Sequence, residues 1–422
     1  MAQYTRYEKL QKYYKDGIAV EPAEYKKGKN LGVAEYSSIE ECQNSSTPPT
    51  PLANCITWEA HKDLNFNFNN NAITTKENPW CTQEKVSSLD FHKSNSEIVS
   101  LDITIDETNG ITSMYLAFSQ MGYLRSVKLN IPKAASLSDI SNMFKDSIDL
   151  TSINFINFDT SHVTTADYMF YGCSSLTSID VSNWNVSNIE TLNYIFGDCS
   201  SLTSLDVSNW NTKNLKEAGG VFFNCSKLTS LDVSNWDVSN VTNLYTIFGG
   251  CSSLTSLDLS NWNTRNLKEA GGMFHSCSSL TSLDLNNWNV SNVTNLDSAF
   301  SYCSKLTSLN VSNWDVSNVT DFDAIFGGCS SLTSLDVSNW NTRNLQYASE
   351  IFYNCSSLTS LNLKNFDMSG ARDYGSMFGG CNKLKNIICK QSFKDWCITN
   401  QDKIKLPAAM RNGGTGTWTI VN

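Results

Sequence analysis

Hydrophobic and polar residues alternate in a pattern that recurs every 26 residues along most of this chain. In the copy at 254–262, Leu257 and Leu259 alternate with Asp258 and Ser260. Alternation with a period of two predicts a short β-strand with one buried face. A fixed period of roughly 20 to 50 residues is typical of stacked structural repeats. The pattern therefore predicts a solenoid that contributes one strand per repeat to a parallel sheet.

The second half of each repeat carries a different hydrophobic spacing. Val241, Leu244 and Phe248 lie three and four residues apart, which is the spacing of one face of a helix. Asn240 or Thr242 could cap such a helix. We therefore expect one or two turns of α- or 3₁₀-helix on the convex side of the solenoid.

Leu254, Leu257 and Leu259 follow the leucine-rich-repeat spacing L-x-x-L-x-L-x-x-N, and Trp262 takes the place of the asparagine. Counting back in steps of 26 residues extends the pattern to about residue 97, which gives about eleven repeats between 97 and 381. The predicted fold is an α/β leucine-rich-repeat solenoid. It has a parallel sheet on one face, short helices on the other, and a cap at each end.

Cysteine occupies the same position in nine successive repeats, at 173, 199, 225, 251, 277, 303, 329, 355 and 381. Residues stacked at the strand spacing of about 4.8 Å are too far apart for a disulfide, which needs Cβ atoms about 3.8 Å apart. The cysteines are therefore predicted to be reduced and buried. Whether Cys55–Cys81 or Cys389–Cys397 form disulfides is left open by the sequence.

Two further columns are predicted to be structural. Tryptophan or phenylalanine closes each strand segment from Trp184 to Phe366 and is expected in the core. Asparagine precedes this aromatic residue in every copy and is expected to bond neighbouring turns.

Every second repeat of part of the array carries a glycine pair, as at Gly219-Gly220 and Gly271-Gly272. Either the repeats have drifted, or alternate repeats leave room for a group that packs on this side.

The flanking regions lack the 26-residue period. Residues 1–42 contain six tyrosines and a hairpin signal at Asp16-Gly17. They are predicted to form a small β module that docks on a neighbouring subunit, with a floppy terminus as the alternative. Residues 43–51 are proline-rich and are interpreted as a linker.

Terminal repeats of a solenoid must close its core. Residues 52–96 are therefore predicted to cap the amino-terminal end of the array, and residues 382–422 the carboxy-terminal end. The second cap is expected to contain an amphipathic helix at 391–400, with Phe393 and Cys397 on one face, and a last strand at 417–421.

Composition narrows the classes of partner. The formal net charge of −10 disfavours nucleic acid, which would require a basic surface. The sequence contains no run of about 18 apolar residues, so no membrane-spanning helix is predicted. The amino terminus lacks the apolar segment of a secretory signal peptide. We therefore expect the protein to stay in the cytosol of its producer or to leave by lysis.

Candidate binding residues lie on the exposed side of the predicted strands, on the concave face. Like charges about 4.8 Å apart repel by about 1 kcal/mol in water, so the aspartates need compensation. Hydrogen bonds from Ser, Thr, Asn and water could supply it. Alternatively, the face binds cations such as Ca²⁺ or sugar hydroxyls. The candidates are Asp180, Asp206, Asp232, Asp258, Asp284, Asp336, Ser208, Ser234 and Ser260.

Catalysis is not predicted. The four histidines share no motif, and every serine-rich stretch is a repeat position. No cofactor and no dedicated metal site are expected.

Written out from Phe248, one copy reads Phe-Gly-Gly-Cys-Ser-Ser-Leu-Thr-Ser-Leu-Asp-Leu-Ser-Asn-Trp. This closely resembles the 26-residue repeat of BspA-like leucine-rich-repeat surface proteins, over residues 97–381. The resemblance implies a curved solenoid displayed on a surface for adhesion or recognition of a host glycan or protein, without catalysis.

Residues 1–42 resemble a short segment of virion proteins from phages that infect Bacteroidota, including crAss-like phages. The resemblance rests on Tyr7-Glu-Lys-Leu-Gln-Lys-Tyr13 and Asp16-Gly17. It implies a phage virion appendage that is attached to other virion proteins through residues 1–42, and by analogy a homo-oligomer such as a trimer. The alternatives are a bacterial cell-surface adhesin and a purely structural decoration of the particle.

Overall fold

The computed structural model describes three stretches in full apart from the side chains of 103–105, together with the backbone of five earlier strands. The stretches are 100–105, 113–130 and 137–421; the strands are Tyr4–Tyr7 (β1), Lys12–Lys15 (β2), Ile18–Val20 (β3), Asp63–Asn69 (β4) and Ala72–Thr75 (β5). The chain divides into two compact units, Met1–Asp180 and Val181–Asn422. The predicted linker at 43–51 lies outside the described residues.

The first unit begins with a three-stranded antiparallel meander. Strand β2 pairs with β1 and with β3, and Lys15 lies opposite Ile18. The two strands that flank Asp16-Gly17 are therefore paired as a hairpin, as predicted. The role of residues 1–42 in docking stays a prediction.

A five-stranded sheet in the order β5-β4-β6-β7-β8 follows in the same unit. It includes Ser100–Ile105 (β6), Ser126–Asn130 (β7) and Ser152–Ile156 (β8). Ser100, Ser126 and Ser152 lie side by side in the parallel ladder, so the repeat period is also the strand register. Strand β4 extends the ladder in parallel, and β5 pairs with it antiparallel.

The second unit contains two parallel sheets. Ser282–Asp284 (β9) pairs with Ser308–Asn310 (β10). The other sheet has the order β11-β12-β13-β14. Its strands are Ser334–Asp336, Ser360–Leu363, Asn386–Cys389 and Thr417–Ile420.

These strands and the turns between them form a leucine-rich-repeat solenoid of about 11 turns with 26-residue spacing. The predicted fold class is confirmed. The strand half of a repeat is the segment equivalent to 254–262, and the turn half is the segment equivalent to 241–251.

The short helices predicted for the turn half are wrong. Within residues 113–130 and 137–381, the turn halves contain turns and no helix. Alternate backbone N–H groups donate to the next repeat, as from Tyr194 to Gly219 O (2.8 Å) and from Phe196 to Val221 O (3.0 Å). Only the N–H groups between them donate within the repeat, so a continuous helical ladder does not form. Tyr194 also has a positive φ of 54°, which ends any right-handed helix.

The hydrophobic spacing nevertheless identified the core correctly. Val241, Leu244 and Phe248 are all buried. Phenylalanines of successive repeats stack, as do Phe222 and Phe248 with ring centroids 5.8 Å apart and planes 4° apart. A tight turn and a helix can bury the same three positions, so the spacing could not separate them.

Tryptophan lies in the core, as predicted. The indole Nε1 of Trp236 donates to the Val207 carbonyl at 3.2 Å, and Trp314 donates to Leu285 O at 3.2 Å. Among the described residues, the one buried side-chain N or O atom without a hydrogen-bond partner is Nε1 of Trp288.

The nine column cysteines are buried and free, as predicted. Eight of the column thiols donate to the phenylalanine carbonyl 29 residues earlier, as from Cys251 to Phe222 O at 3.1 Å. Burial raises the pKa of Cys251 to about 12, which makes the thiol unreactive at neutral pH. Cys389 and Cys397 are also free, whereas Cys55 and Cys81 lie outside the described residues.

Asparagine side chains bond successive repeats, as predicted. Asn339 Nδ2 donates to Ser312 O at 3.2 Å, and Asn365 Nδ2 donates to Ser338 O at 2.8 Å. A second asparagine column does the same in the turns that follow, as from Asn266 to Ser239 O at 2.7 Å. Both columns replace solvent by hydrogen bonds between adjacent turns.

Glycine pairs are explained by neighbouring side chains. A Cβ at Gly220 would collide with the ring of Tyr194. The Tyr194 ring spans this repeat, and its hydroxyl lies 3.3 Å from that of Thr246, 52 residues away. The space left by these glycines is filled from within the chain, which accounts for the 52-residue period.

The carboxy-terminal end contains the predicted helix and strand. Helix α1 (Gln391–Thr399) buries Phe393 and Cys397. A 3₁₀-helix, Ala408–Met410, follows, and β14 adds in parallel to β13.

Candidate functional site

The exposed side of the second unit's strands consists of two columns of side chains, all of them polar except Ile388. Ser334 and Asp336 are exposed, whereas Leu335 between them is 5% exposed, as expected for a half-buried strand. We call the outward surface of β9–β14 the strand face. Its columns are Ser282, Ser308, Ser334, Ser360, Asn386 and Thr417, and Asp284, Asn310, Asp336, Asn362, Ile388 and Thr419.

An open concavity of about 460 Å³ lies on this face. Strand β10 carries no ladder bond to β11, because the two belong to different sheets. Leu309 of β10 is correspondingly less buried than Leu335 of β11. The lining residues are Thr307, Ser308, Leu309, Ser334, Leu335, Asp336, Ser360, Leu361, Asn362, Asn386, Ile388 and Thr419.

The hydroxyls of Ser308, Ser334 and Ser360 take part in none of the hydrogen bonds described for residues 100–105, 113–130 and 137–421. By contrast, Thr307 at the rim donates to Thr281 O at 3.0 Å. Each free serine can donate one hydrogen bond and accept others. The concavity can therefore bind a ligand without breaking bonds within the fold.

Three aspartates of the predicted column each accept hydrogen bonds from the serine two residues later. Asp232 Oδ1 accepts hydrogen bonds from the backbone N–H (3.0 Å) and the hydroxyl (2.7 Å) of Ser234. Asp206 with Ser208, and Asp258 with Ser260, repeat this geometry. This supports the interpretation in which hydroxyl hydrogen bonds compensate the column of charge.

The same bonds affect titration. The hydroxyl of Ser208 lowers the pKa of Asp206, and that of Ser260 lowers the pKa of Asp258, because a donor stabilises the ionised carboxylate. Asp284 accepts the N–H of Asn286 at 3.1 Å, and Asp336 that of Ser338 at 3.0 Å.

Only Asp336 of the predicted residues lines the concavity. Asp180 is exposed in the first unit. Ser308, Ser334 and Ser360 were not predicted, although they lie two residues before the aspartate column and therefore on the same face of their strands. Asn386 and Ile388 lie 26 residues after Ser360 and Asn362 and so continue the repeat period beyond the predicted end of the array at 381. Thr419 lies outside this period.

Cation binding finds no dedicated site in the part of the chain that the structure describes. There, no three His, Cys, Asp or Glu side chains lie close enough together to hold a metal ion. No helix of these residues has the length and apolarity needed to cross a membrane.

Three overlapping segments, 112–231, 192–305 and 272–391, match the family described as "Mycoplasma protein of unknown function, DUF285". Together they span more than half of the chain. No curated protein matches the sequence of this chain.

Similar solved structures include leucine-rich-repeat proteins of bacteria. One from Bacteroides ovatus is 18% identical, with 86% of this chain and 99% of that chain covered and a TM-score of 0.35. A leucine rich cell surface protein from Faecalibacterium prausnitzii is 16% identical, with 78% and 94% covered and a TM-score of 0.35. One from Eubacterium ventriosum is 16% identical, with 67% and 90% covered and a TM-score of 0.30. Likeness of this degree carries no information about a ligand.

Proposed function

We propose that this chain, which belongs to the DUF285 repeat family, is a recognition protein displayed on a surface and that it binds its target through the strand face. The observation that carries the proposal is the concavity beside Ser308, Ser334 and Ser360. Their hydroxyls are exposed or half-exposed and contribute none of the described hydrogen bonds.

The chemistry of the concavity selects a polar ligand. Its polar lining is hydroxyl and amide except for one carboxylate, Asp336, and it includes no lysine or arginine. Leu309 and Ile388 add apolar contact surface. Its volume lies within the range of about 300–1,000 Å³ typical of ligand pockets. A neutral glycan or an extended polypeptide of the host surface fits these properties.

Binding of host-surface glycans and of intact host cells tests this proposal. A double substitution, Ser334→Lys and Ser360→Lys, places two long side chains in the concavity and should reduce binding at least about tenfold. Ser230→Lys with Ser256→Lys is the matched control, because both serines have the same repeat position and are exposed but lie outside β9–β14 and outside the lining. Equal binding by the double variant and the control would show that the concavity is not the site and would contradict the proposal.

The place of display is a finer proposal, and it rests on the sequence of residues 1–42. We propose that these residues attach the protein to a phage particle through other virion proteins, as a homo-oligomer. A bacterial cell surface is the alternative. Mass spectrometry of purified particles and of the producing cell's envelope distinguishes them, and detection in the envelope alone would exclude the virion.

A further inference from the structure

Exposed tyrosine rings lie on the turn halves of the second unit. Tyr245 is 41% exposed and Tyr347 is 43% exposed. The Tyr245 ring lies against the backbone of Gly271, where an added Cβ would approach two of its ring carbons to 3.2 Å. Glycine therefore lets this ring rest on the neighbouring repeat while its other side meets solvent.

Carboxylates surround these rings. The same Cβ at Gly271 would also collide with Asp297 Oδ1, which places Asp297 beside Tyr245. Asp321 and Asp373 are the bridge partners of Tyr347 in the repeats before and after it. We call Tyr245, Asp297, Asp321, Asp323, Tyr347 and Asp373 the tyrosine–carboxylate patch.

The carboxylates of the patch are unequally compensated: the hydroxyl of Ser349 and, after it, Lys403 lower the pKa of Asp373, whereas the pKa values of Asp321 and Asp323 are raised. Among the described residues, no lysine or arginine forms an ion pair with its carboxylates. Burial, together with Asp321, Asp373 and Asp297, raises the pKa of Asp323 to about 6. Burial likewise raises the pKa of Asp321. A cation placed here would relieve this repulsion.

The chain itself shows how such a cation binds. Lys403 Nζ lies 3.5 Å from the centroid of the Tyr374 ring, next to Asp373. In the first unit, Lys145 Nζ lies 5.0 Å from the ring centroid of Tyr168. An ammonium over an aromatic face is stabilised by the ring's electrons. No described lysine or arginine lies over Tyr245 or Tyr347.

We propose that the tyrosine–carboxylate patch is a docking surface for a cationic segment of a partner protein, whose lysine or arginine side chains stack on Tyr245 and Tyr347 and pair with the surrounding carboxylates. Charge complementarity selects this partner over a neutral glycan. The patch lies on the turn halves and is separate from the strand face, so the inference goes beyond the proposed function and fails independently of it.

Binding of a synthetic nonapeptide of alternating lysine and arginine to the full chain tests the proposal, with a glutamine nonapeptide as the neutral reference. Asp321→Asn with Asp323→Asn, and separately Tyr245→Leu with Tyr347→Leu, should each weaken binding at least about tenfold. Tyr245→Phe with Tyr347→Phe keeps both rings and should restore most of it. Thermal unfolding of every variant establishes that it is folded.

Asp232→Asn with Asp258→Asn is the matched control, because it removes the same charge from strand halves and should change binding less than about twofold. An equal loss in this control would reduce the interaction to the net charge of the chain and overturn the proposal. So would absence of peptide binding at low salt, or a neutral glycan whose binding depends on the same tyrosines. Binding should also weaken from pH 7.5 to pH 5, as Asp323 becomes protonated.

Discussion

The two halves of a repeat in the second unit are held together by different means. In the turn half, backbone N–H groups donate across the repeat boundary at successive alternate residues, as at Leu192, Tyr194 and Phe196. In the strand half, the strands are three or four residues long, and the segments at 230–232 and 256–258 form no strand. The turn halves therefore supply most of the backbone hydrogen bonds between repeats, whereas the strand halves are joined mainly by side chains such as the stacked tryptophans.

Core substitutions should show the largest contrast between the halves. Leu244 in a turn half is fully buried, whereas Leu257 in a strand half is half-buried. We expect Leu244→Ala to cost about 2–5 kcal/mol of unfolding free energy and Leu257→Ala less than about half as much. Denaturant unfolding measures both. Equal losses of unfolding free energy would show that the turn half and the strand half do not differ in this respect.

Glycine substitution in the turn half should have the next largest effect. Gly220 has a φ of 61°, and an added Cβ would meet the Tyr194 ring. We expect Gly220→Ala to destabilise by about 2 kcal/mol, from the left-handed backbone and the displaced ring together. Gly122, where an added Cβ meets nothing within 4 Å, is the control and should tolerate alanine. A similar fall in melting temperature for both would remove the explanation of the 52-residue period.

Tryptophan in the strand half offers a finer test. Trp314 Nε1 donates to Leu285 O, whereas the Trp288 Nε1 has no partner. Phenylalanine at either position removes the indole, but only at 314 does it remove a hydrogen bond worth about 1 kcal/mol. Unfolding of Trp314→Phe should therefore be easier than that of Trp288→Phe by about this amount. The opposite order would show that the hydrogen bond from Trp314 to Leu285 O does not stabilise the fold.

The smallest expected effect is a pH dependence from Asp323. Its folded pKa of about 6 lies above the usual value of 3.8, so the folded state binds more protons than the unfolded state between about pH 4 and pH 6. This group's contribution to the unfolding free energy therefore grows as pH falls through that window and is lost as pH rises through 6. Because the group is only half-buried, solvent screening limits the effect to about 1 kcal/mol.

Asp323→Asn isolates this contribution, since the amide oxygen can still accept the Ser349 N–H that Asp323 accepts at 2.7 Å. The unfolding free energies of the variant and the parent should differ at pH 7 and converge near pH 4. A constant difference across this range would show that the carboxylate does not titrate in the window.

The buried residues could be predicted from the hydrophobic pattern of the sequence, whereas the candidate binding sites could be predicted only in part. Asp336 was predicted on the strand face, and Ser334 follows from the same parity. Asn386 lies 52 residues after Ser334, so the repeat period places it on the strand face. Thr419 lies outside the period, and nothing in the sequence aligns it with β11. The tyrosine–carboxylate patch joins Tyr245 to Asp373 through repeat stacking, and no local motif marks it.

Periodicity and burial are enough to predict the solenoid, its 26-residue register and its core of Cys, Phe and Trp from the amino-acid sequence. Whether the turn half is a helix or a turn depends on how neighbouring repeats pack. Hydrophobic spacing is the same in both, and the choice depends on whether N–H groups bond within a repeat or across to the next. Tertiary structure also decided where the sheet is interrupted, and hence where the concavity opens, because neighbouring repeats with nearly identical sequences differ there in their pairing.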